Sequence, residues 1–257
     1  MPVFKLTIEY LGANFHGWQE QPDQGLRTVQ GVLREALTTV VRQPVALQGA
    51  SRTDAGVNAL GQVASLAVET DLSAGRIAKG ATALAGPDVS VVDAVVAPEI
   101  FDARRDSIGK RYRYRLLNRS APSPILDAVS WHVPRPLDLA AMTAAAERLV
   151  GAHDFAGFRS ADCGREHTER ELTRVALVAR EGAVIDIEVE GTAFLKQMVR
   201  IIAGTLVDIG LGARPVGVVD EVLESGERAR AGRTAPAQGL TLIEVLYPDG
   251  LLRSRER

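Results

Sequence analysis

Residues 4–10, Phe4-Lys5-Leu6-Thr7-Ile8-Glu9-Tyr10, alternate apolar and polar side chains without a fault. A period of two puts Phe4, Leu6, Ile8 and Tyr10 on one face and Lys5, Thr7 and Glu9 on the other, the pattern of a half-buried strand. After a Gly- and Pro-containing loop the period changes. Thr28 is placed to cap a helix whose apolar residues are Val29, Val32, Leu33, Ala36, Leu37, Val40 and Val41, spaced for one helical face. Short strands are expected at Val45–Leu47 and near Gln62–Val68, a helix near Ser73–Leu84 stopped by Gly86-Pro87, and a strand at Val89–Val96. The first half therefore reads strand, helix, strand, strand, helix, strand.

The second half repeats that order in a different sequence. Arg111–Leu117 reads as a strand with Tyr112, Tyr114 and Leu116 on one face and Arg113 and Arg115 on the other. Asp138 caps an Ala-rich helix expected to end at Gly151. Strands follow at Leu172–Val178 and Val184–Glu190, then an apolar helix from about Ala193 to Ile209, stopped by Gly210. A smaller helix near Val218–Leu223 and a basic loop precede a last strand, Leu240–Leu246. The economical reading is an α+β chain of two consecutive split βαββαβ domains, ferredoxin- or RRM-like, with antiparallel sheets. Such units put helices on one sheet face and leave the other open, a face that RNA-binding domains use. The boundary is expected near 97–105, giving domains 1–103 and 104–257.

Of the 257 residues, 46% are hydrophobic and 24% charged, which excludes a disordered chain, and 24 Gly and 12 Pro exclude a collagen-like one. Cys163 is the one cysteine, so no internal disulfide can form. The N-terminal segment lacks the basic and apolar regions of a signal peptide, and no run is long enough to span a bilayer. A soluble cytoplasmic protein is expected. The net charge is −2, yet residues 104–119 carry Arg104, Arg105, Lys110, Arg111, Arg113, Arg115 and Arg119 against Asp106 alone, a local excess of +6. Such a stripe suits a phosphate backbone, because field focusing follows local charge; it also suits a solvated strand face or a subunit contact.

Few residues suggest chemistry. His16, His132, His153 and His167 have no metal-ligand spacing, and Cys163 with His167 supplies only two candidate ligands. Phosphate-loop, dinucleotide and serine-hydrolase motifs are absent. One loop stands apart, Ser51-Arg52-Thr53-Asp54-Ala55-Gly56-Val57-Asn58-Ala59. Its plain reading is a turn, with Asp54 bonding backbone amides and Gly56 at positive φ. Its chemical reading is a carboxylate kept ionised by an arginine, a plausible nucleophile.

The loop resembles the RTDAGVHA signature of the tRNA pseudouridine synthase A (TruA) family. The resemblance continues, in order, through Phe15-His16-Gly17-Trp18-Gln19, Thr28-Val29-Gln30-Gly31, Phe101-Asp102-Ala103-Arg104, Lys110-Arg111-Tyr112-Arg113-Tyr114, Gly151-Ala152-His153-Asp154-Phe155, Phe194-Leu195-Lys196-Gln197-Met198-Val199-Arg200 and Gly239-Leu240. It implies the pseudouridine synthase fold and an isomerase that converts uridine to pseudouridine at positions 38, 39 and 40 of the tRNA anticodon arm, with no metal or organic cofactor. By position it makes Asp54 the catalytic carboxylate and Arg52 the residue that helps extrude the base. Tyr112 is then the ring that stacks on the uracil and serves in proton transfer, Arg200 the partner of the catalytic aspartate, and Leu240 a wall of the base pocket. It also implies a homodimer that embraces tRNA, with Arg104, Arg105, Lys110, Arg111, Arg113 and Arg115 expected on RNA phosphates.

Read by periodicity alone, Arg200 is a solvated arginine on the polar side of its helix, although Gly204 one turn later leaves room for another segment to approach. Three positions depart from the family pattern: Asn58 where His is usual, Ser51 where Gly is common and Asp102 where His is frequent. Asn58 is expected to pack the loop, and Ser51 requires a backbone that does not need glycine. The alternatives are a non-catalytic RNA-binding relative and, more distantly, a metal-dependent nuclease.

Overall fold

The computed structural model describes residues 1–21 and 25–251. These form two compact units, one of Met1–Ile108 together with the chain from Leu242 onward, the other of Gly109–Thr241. The expected boundary near 97–105 falls a few residues before the chain first passes between them.

In the first unit the elements are β1 (Val3–Tyr10), α1 (Val29–Val41), β2 (Leu47–Gly49), β3 (Asn58–Ala67), α2 (Ala74–Ala85) and β4 (Val89–Ala97). The strand order is β4-β1-β3 with β2 on β3. β1 is central and antiparallel to both neighbours, so that Leu6 faces Ala64 on one side and Ala94 on the other. Phe4, Leu6, Ile8 and Tyr10 are all buried, as their alternation requires. Thr28 Oγ1 accepts from Gly31 N and Ser73 Oγ from Arg76 N, filling donors that helix starts leave orphaned. The helices bury Val29, Leu33, Ala36, Leu37 and Val41 from α1 and Ile77, Ala81 and Ala85 from α2. β3 starts at Asn58, earlier than expected. Gly61 is a close-approach residue there, since a Cβ on it would stand 2.3 Å from the Ile243 carbonyl oxygen.

The second unit contains β5 (Gly109–Leu117), β6 (Trp131–His132), α3 (Leu139–Glu147), β7 (Gly151–Asp154), β8 (Glu169–Arg180), β9 (Val184–Gly191), α4 (Met198–Gly210) and α5 (Val218–Ser225). Its sheet runs β5-β9-β8-β7, with β6 parallel to β5. β6 and β7 are additions that the sequence pattern did not suggest. Asp138 caps α3 through Ala141 N, as expected, but α3 ends at Glu147. Gly151, at φ +115°, opens β7 instead of closing the helix. α4 also begins later than Ala193, because Gln197 adopts the left-handed conformation (φ 61°) and the preceding residues form a turn. A tenth strand, β10 (Leu240–Leu246), leaves the second unit after Thr241 and joins the first, where it lies along β3. There Ile108 N donates to Leu246 O at 2.9 Å, and Tyr247 donates its hydroxyl to Ala103 O at 2.6 Å.

α4 is buried on every side from Ile201 to Gly210, including the side that periodicity leaves polar. Its cover there is the extended segment 231–236. Gly232 N donates to Thr205 Oγ1 at 2.8 Å, Arg233 bonds Asp208 at 2.9 Å, and Ala235 N donates to Arg200 O at 3.1 Å. Where the two chains cross, a Cβ on Gly204 would lie 1.8 Å from the Arg233 carbonyl oxygen.

Two effects of opposite sign therefore meet in Gly204→Ala. Helix propensity favours alanine by about 1 kcal/mol, whereas overpacking against backbone costs about 1–3 kcal/mol or more. The clash dominates, and chemical denaturation should find the variant less stable than the parent. A more stable variant would show that segment 231–236 does not seat on α4 in this way.

Candidate active site

The loop 51–57 of the first unit is tethered by hydrogen bonds at Ser51, Thr53, Asp54, Gly56 and Val57. The Gln62 amide, fully buried on β3, accepts from Ser51 N at 3.2 Å and donates to Ser51 O at 2.7 Å. Thr53 Oγ1 shares a 2.7 Å hydrogen bond with the Tyr10 hydroxyl, and Thr53 O accepts from Trp18 N at 3.1 Å. The Asp54 carbonyl closes the turn by accepting from Val57 N, and Gly56 N donates to Phe15 O, both at 3.2 Å. Gly56 has φ +78°, so the turn needs the conformation that glycine adopts cheaply. Gly17, at φ +90°, lets its own segment approach: a Cβ there would stand 2.7 Å from Thr53 O. On this frame the Asp54 side chain is half-buried and Arg52 is exposed.

Each departure from the family pattern has a structural place. Asn58 is 4% exposed, and its Oδ1 accepts from Gly12 N at 2.7 Å, so it packs the loop. Ser51 is not among the residues with positive φ, so its backbone makes no demand for glycine. Asp102 Oδ1 accepts from Arg104 N and Arg105 N at 2.8 Å each, holding the turn that carries those arginines.

In the second unit, Tyr112 lies on β5 with 7% exposure, and Phe194 packs edge-on against its ring at 4.9 Å between centroids. Arg200 is half-buried, with Nε donating to Ala235 O at 2.8 Å. It is therefore not the solvated arginine that helical periodicity suggests. Leu240 is buried at the start of β10. Tyr114, fully buried two residues after Tyr112, donates its hydroxyl to Pro236 O at 2.8 Å. Burial drives its phenol far above the ordinary tyrosine range, so it is a permanent donor; the charge of Arg200 acts in the opposite direction. Tyr10, Trp18, Gln62, Phe194 and Tyr114 were not singled out from the sequence for the site. Their signal is faint: a polar residue inside an apolar strand for Gln62, an aromatic close to a glycine for Tyr10, Trp18 and Phe194, and nothing comparable for Tyr114.

The basic stripe is only partly available to a ligand. Arg111 pairs with Glu190 at 2.9 Å, and Arg115 grips Asp186 with two bonds, of 2.8 and 3.0 Å. β9 thus sets a carboxylate opposite each arginine of β5, in the register Arg111↔Glu190, Arg113↔Glu188 and Arg115↔Asp186. Arg180 closes on Asp186 and Glu188 from β8. Arg113 has a buried Nε without a hydrogen-bond partner, and burial, followed by the nearby Arg115, lowers its pKa. Arg104 and Arg105 are exposed, although Arg105 also touches Asp106 and Ile100 O. Among the described residues no group of three or more His, Cys, Asp or Glu could hold a metal ion, and Cys163 is a free thiol. Nor is any described helix long and apolar enough to cross a membrane.

Comparison with known proteins adds an independent line. A profile described as tRNA pseudouridine synthase matches residues 6–103 and 145–248. tRNA pseudouridine synthase A of Myxococcus xanthus is 50% identical over 250 residues, covering 97% of this chain and 94% of that protein. The protein of the same name from Geotalea uraniireducens is 45% identical over 247 residues, covering 96% of this chain and 100% of its own. A crystal structure of a Cbf5–Nop10–Gar1 complex shares 10% identity at a TM-score of 0.35, covering 93% of this chain and 58% of that one, too slight a likeness to add weight. The near full-length identity to the bacterial proteins and the two-segment profile match agree, and by them this chain belongs to the tRNA pseudouridine synthase family.

Proposed function

We propose that this chain isomerises uridine to pseudouridine at positions 38, 39 and 40 of the tRNA anticodon arm, with Asp54 as the catalytic carboxylate. The observation that carries the reading is the tethering of the loop 51–57. Gln62, Trp18 and Phe15 hold its backbone and Tyr10 holds the Thr53 side chain, while Asp54 stays half-buried among them, the arrangement of a preorganised reactive group. Family membership supplies the reaction class. In that reaction the N1–C1′ bond breaks, the uracil turns and C5 joins C1′; the proton leaves C5 and N1 takes one up. Atoms balance without oxidant, reductant or water.

The target base must leave its stack, at a cost of about a few kcal/mol, and exposed Arg52 fills the vacated space. Tyr112 stacks on the extruded ring and serves in proton transfer, with its ring braced by Phe194. Arg200 is the counter-charge that keeps the catalytic carboxylate ionised, since an adjacent cation lowers a carboxylate pKa. Leu240 lines the base pocket. RNA phosphates meet Arg104, Arg105, Lys110, Arg111, Arg113 and Arg115, with the exposed Arg104 and Arg105 leading because Arg111 and Arg115 already hold carboxylates. The working form is a homodimer in the cytoplasm.

The test uses unmodified tRNA transcripts, with pseudouridine mapped by carbodiimide treatment and primer extension. The parent protein should mark the anticodon arm without added metal or nucleotide, and Asp54→Asn should bind tRNA but lose turnover on the order of 10⁴-fold. Substantial turnover by Asp54→Asn removes the carboxylate from its role. Tight binding without any pseudouridine from the parent leaves a non-catalytic RNA-binding relative.

Replacing Tyr112 separates ring from hydroxyl. Tyr112→Ala loses stacking worth about 1–3 kcal/mol, roughly tenfold to a hundredfold in kcat/KM. Tyr112→Phe keeps the stacking, so a comparable loss in that variant would assign the hydroxyl to the proton transfer.

For the backbone contacts, Arg104→Gln with Arg105→Gln should flatten the dependence of log Kd on log salt by about one per lost phosphate contact. Arg115→Gln should flatten that slope less than the double variant does and lower thermal stability, because Arg115 already holds buried Asp186. An unchanged slope in the double variant moves Arg104 and Arg105 out of the RNA interface.

A further inference from the structure

Segment 231–240 does more than cover a helix. Within the second unit it makes an ordered series of bonds to residues four apart on α4 and then to β5. Arg233 takes Asp208 at 2.9 Å, its carbonyl oxygen fills the space above Gly204, and Ala235 makes a reciprocal pair with Arg200. In that pair Ala235 N donates to Arg200 O at 3.1 Å, and Arg200 Nε donates to Ala235 O at 2.8 Å. The next carbonyl, that of Pro236, accepts the Tyr114 hydroxyl at 2.8 Å. Gly239 then lies so close over the Tyr114 ring that a Cβ would stand 2.7 Å from Cζ. Leu240 follows directly.

An arginine on a helix has many rotamers and loses entropy whenever it is held in one. Here the helix alone does not select the rotamer. Arg200 Nε is bound to a carbonyl carried by the segment, so the position of Ala235 bears directly on where the guanidinium lies. Ala235 is fixed on one side by the Gly204 crossing and on the other by Tyr114 through Pro236. We propose that Tyr114 is a positioning residue for the isomerisation, acting through segment 235–240 to set the guanidinium of Arg200 and the side chain of Leu240. This rests on the reading of Arg200 as counter-charge to the catalytic carboxylate. The phenol suits the task because burial keeps it protonated at any working pH, so the anchor does not titrate.

Tyr114→Phe removes the hydroxyl and keeps the ring beneath Gly239, so the variant should fold, with a thermal midpoint lowered by no more than one lost hydrogen bond. The expected result is a fall in kcat of about tenfold, the scale of one lost hydrogen bond, with KM and Kd for tRNA unchanged. The acid limb of the kcat profile should move to higher pH, because a less well held arginine lowers the carboxylate pKa less and the ionised form is lost earlier as pH falls. A merely structural tyrosine would move neither the limb nor kcat at fixed KM. Parent-like kcat and acid limb in Tyr114→Phe, with Asp54→Asn inactive in the same assay, overturn the positioning role and leave the function standing. Full turnover by Asp54→Asn, or a parent that makes no pseudouridine, overturns the function and the positioning role with it. Arg233→Gln loosens the same segment at the Asp208 end without touching Tyr114 or Arg200, and it should reproduce the shift of the acid limb in smaller measure. No shift there while Tyr114→Phe behaves as the parent counts against the segment twice.

Discussion

The missing Cβ at Gly204 governs much of the second unit. It lets the carbonyl of Arg233 lie against the backbone of α4, at a point where any side chain would stand 1.8 Å from that oxygen. From this crossing come the burial of an otherwise polar helix face and the bonds to Thr205 and Asp208. It also sets the reciprocal pair in which Arg200 Nε donates to a carbonyl 35 residues away. α4 is apolar over most of its surface, and such a helix has to be covered on nearly every side. The crossing supplies the last of that cover.

The loop that carries Asp54 solves a similar problem with the opposite chemistry. A loop cannot bury its own backbone groups without partners. Here one buried amide, Gln62, satisfies both polar groups of Ser51 from inside an apolar strand, while Tyr10 and Trp18 satisfy Thr53. A fully enclosed Gln is costly unless its donors and acceptors are used. Used in this way, it turns a turn-forming sequence into a rigid support. Asn58 belongs to the same system, accepting from Gly12 N through its side-chain oxygen.

The charged face of the second sheet shows how far charge counting reaches. Seven cations against one acid between residues 104 and 119 is a correct statement about the chain and a partial one about the surface. Glu190, Glu188 and Asp186 lie far along the sequence but opposite the same arginines once β9 pairs with β5. Arg115 and Arg180 then converge on Asp186, which is 1% exposed, so part of the stripe is internal structure. Local charge predicts a field; only the register says how much of it is already neutralised.

Sequence alone determined the parts that depend on neighbours along the chain. The alternation in 4–10, the spacing of Val29 through Val41, and the caps at Thr28, Ser73 and Asp138 identify strands and helix starts, because period and cap chemistry are local properties. The order of elements and the Arg52-Thr53-Asp54-Ala55-Gly56-Val57 stretch were equally legible, and with them the fold class and the family. Tertiary structure decided what depends on distant partners. It shortened α4 by placing Gln197 in a left-handed turn, made Gly151 a strand opener and added β6 and β7. It also sent β10 from one unit into the other, and it converted Arg200 from an apparently solvated arginine into one bonded to Ala235. The physical reason is common to all of these: a backbone carbonyl, a missing Cβ or a facing strand carries no side-chain pattern of its own, so its effect on a residue is set by which segment arrives beside it.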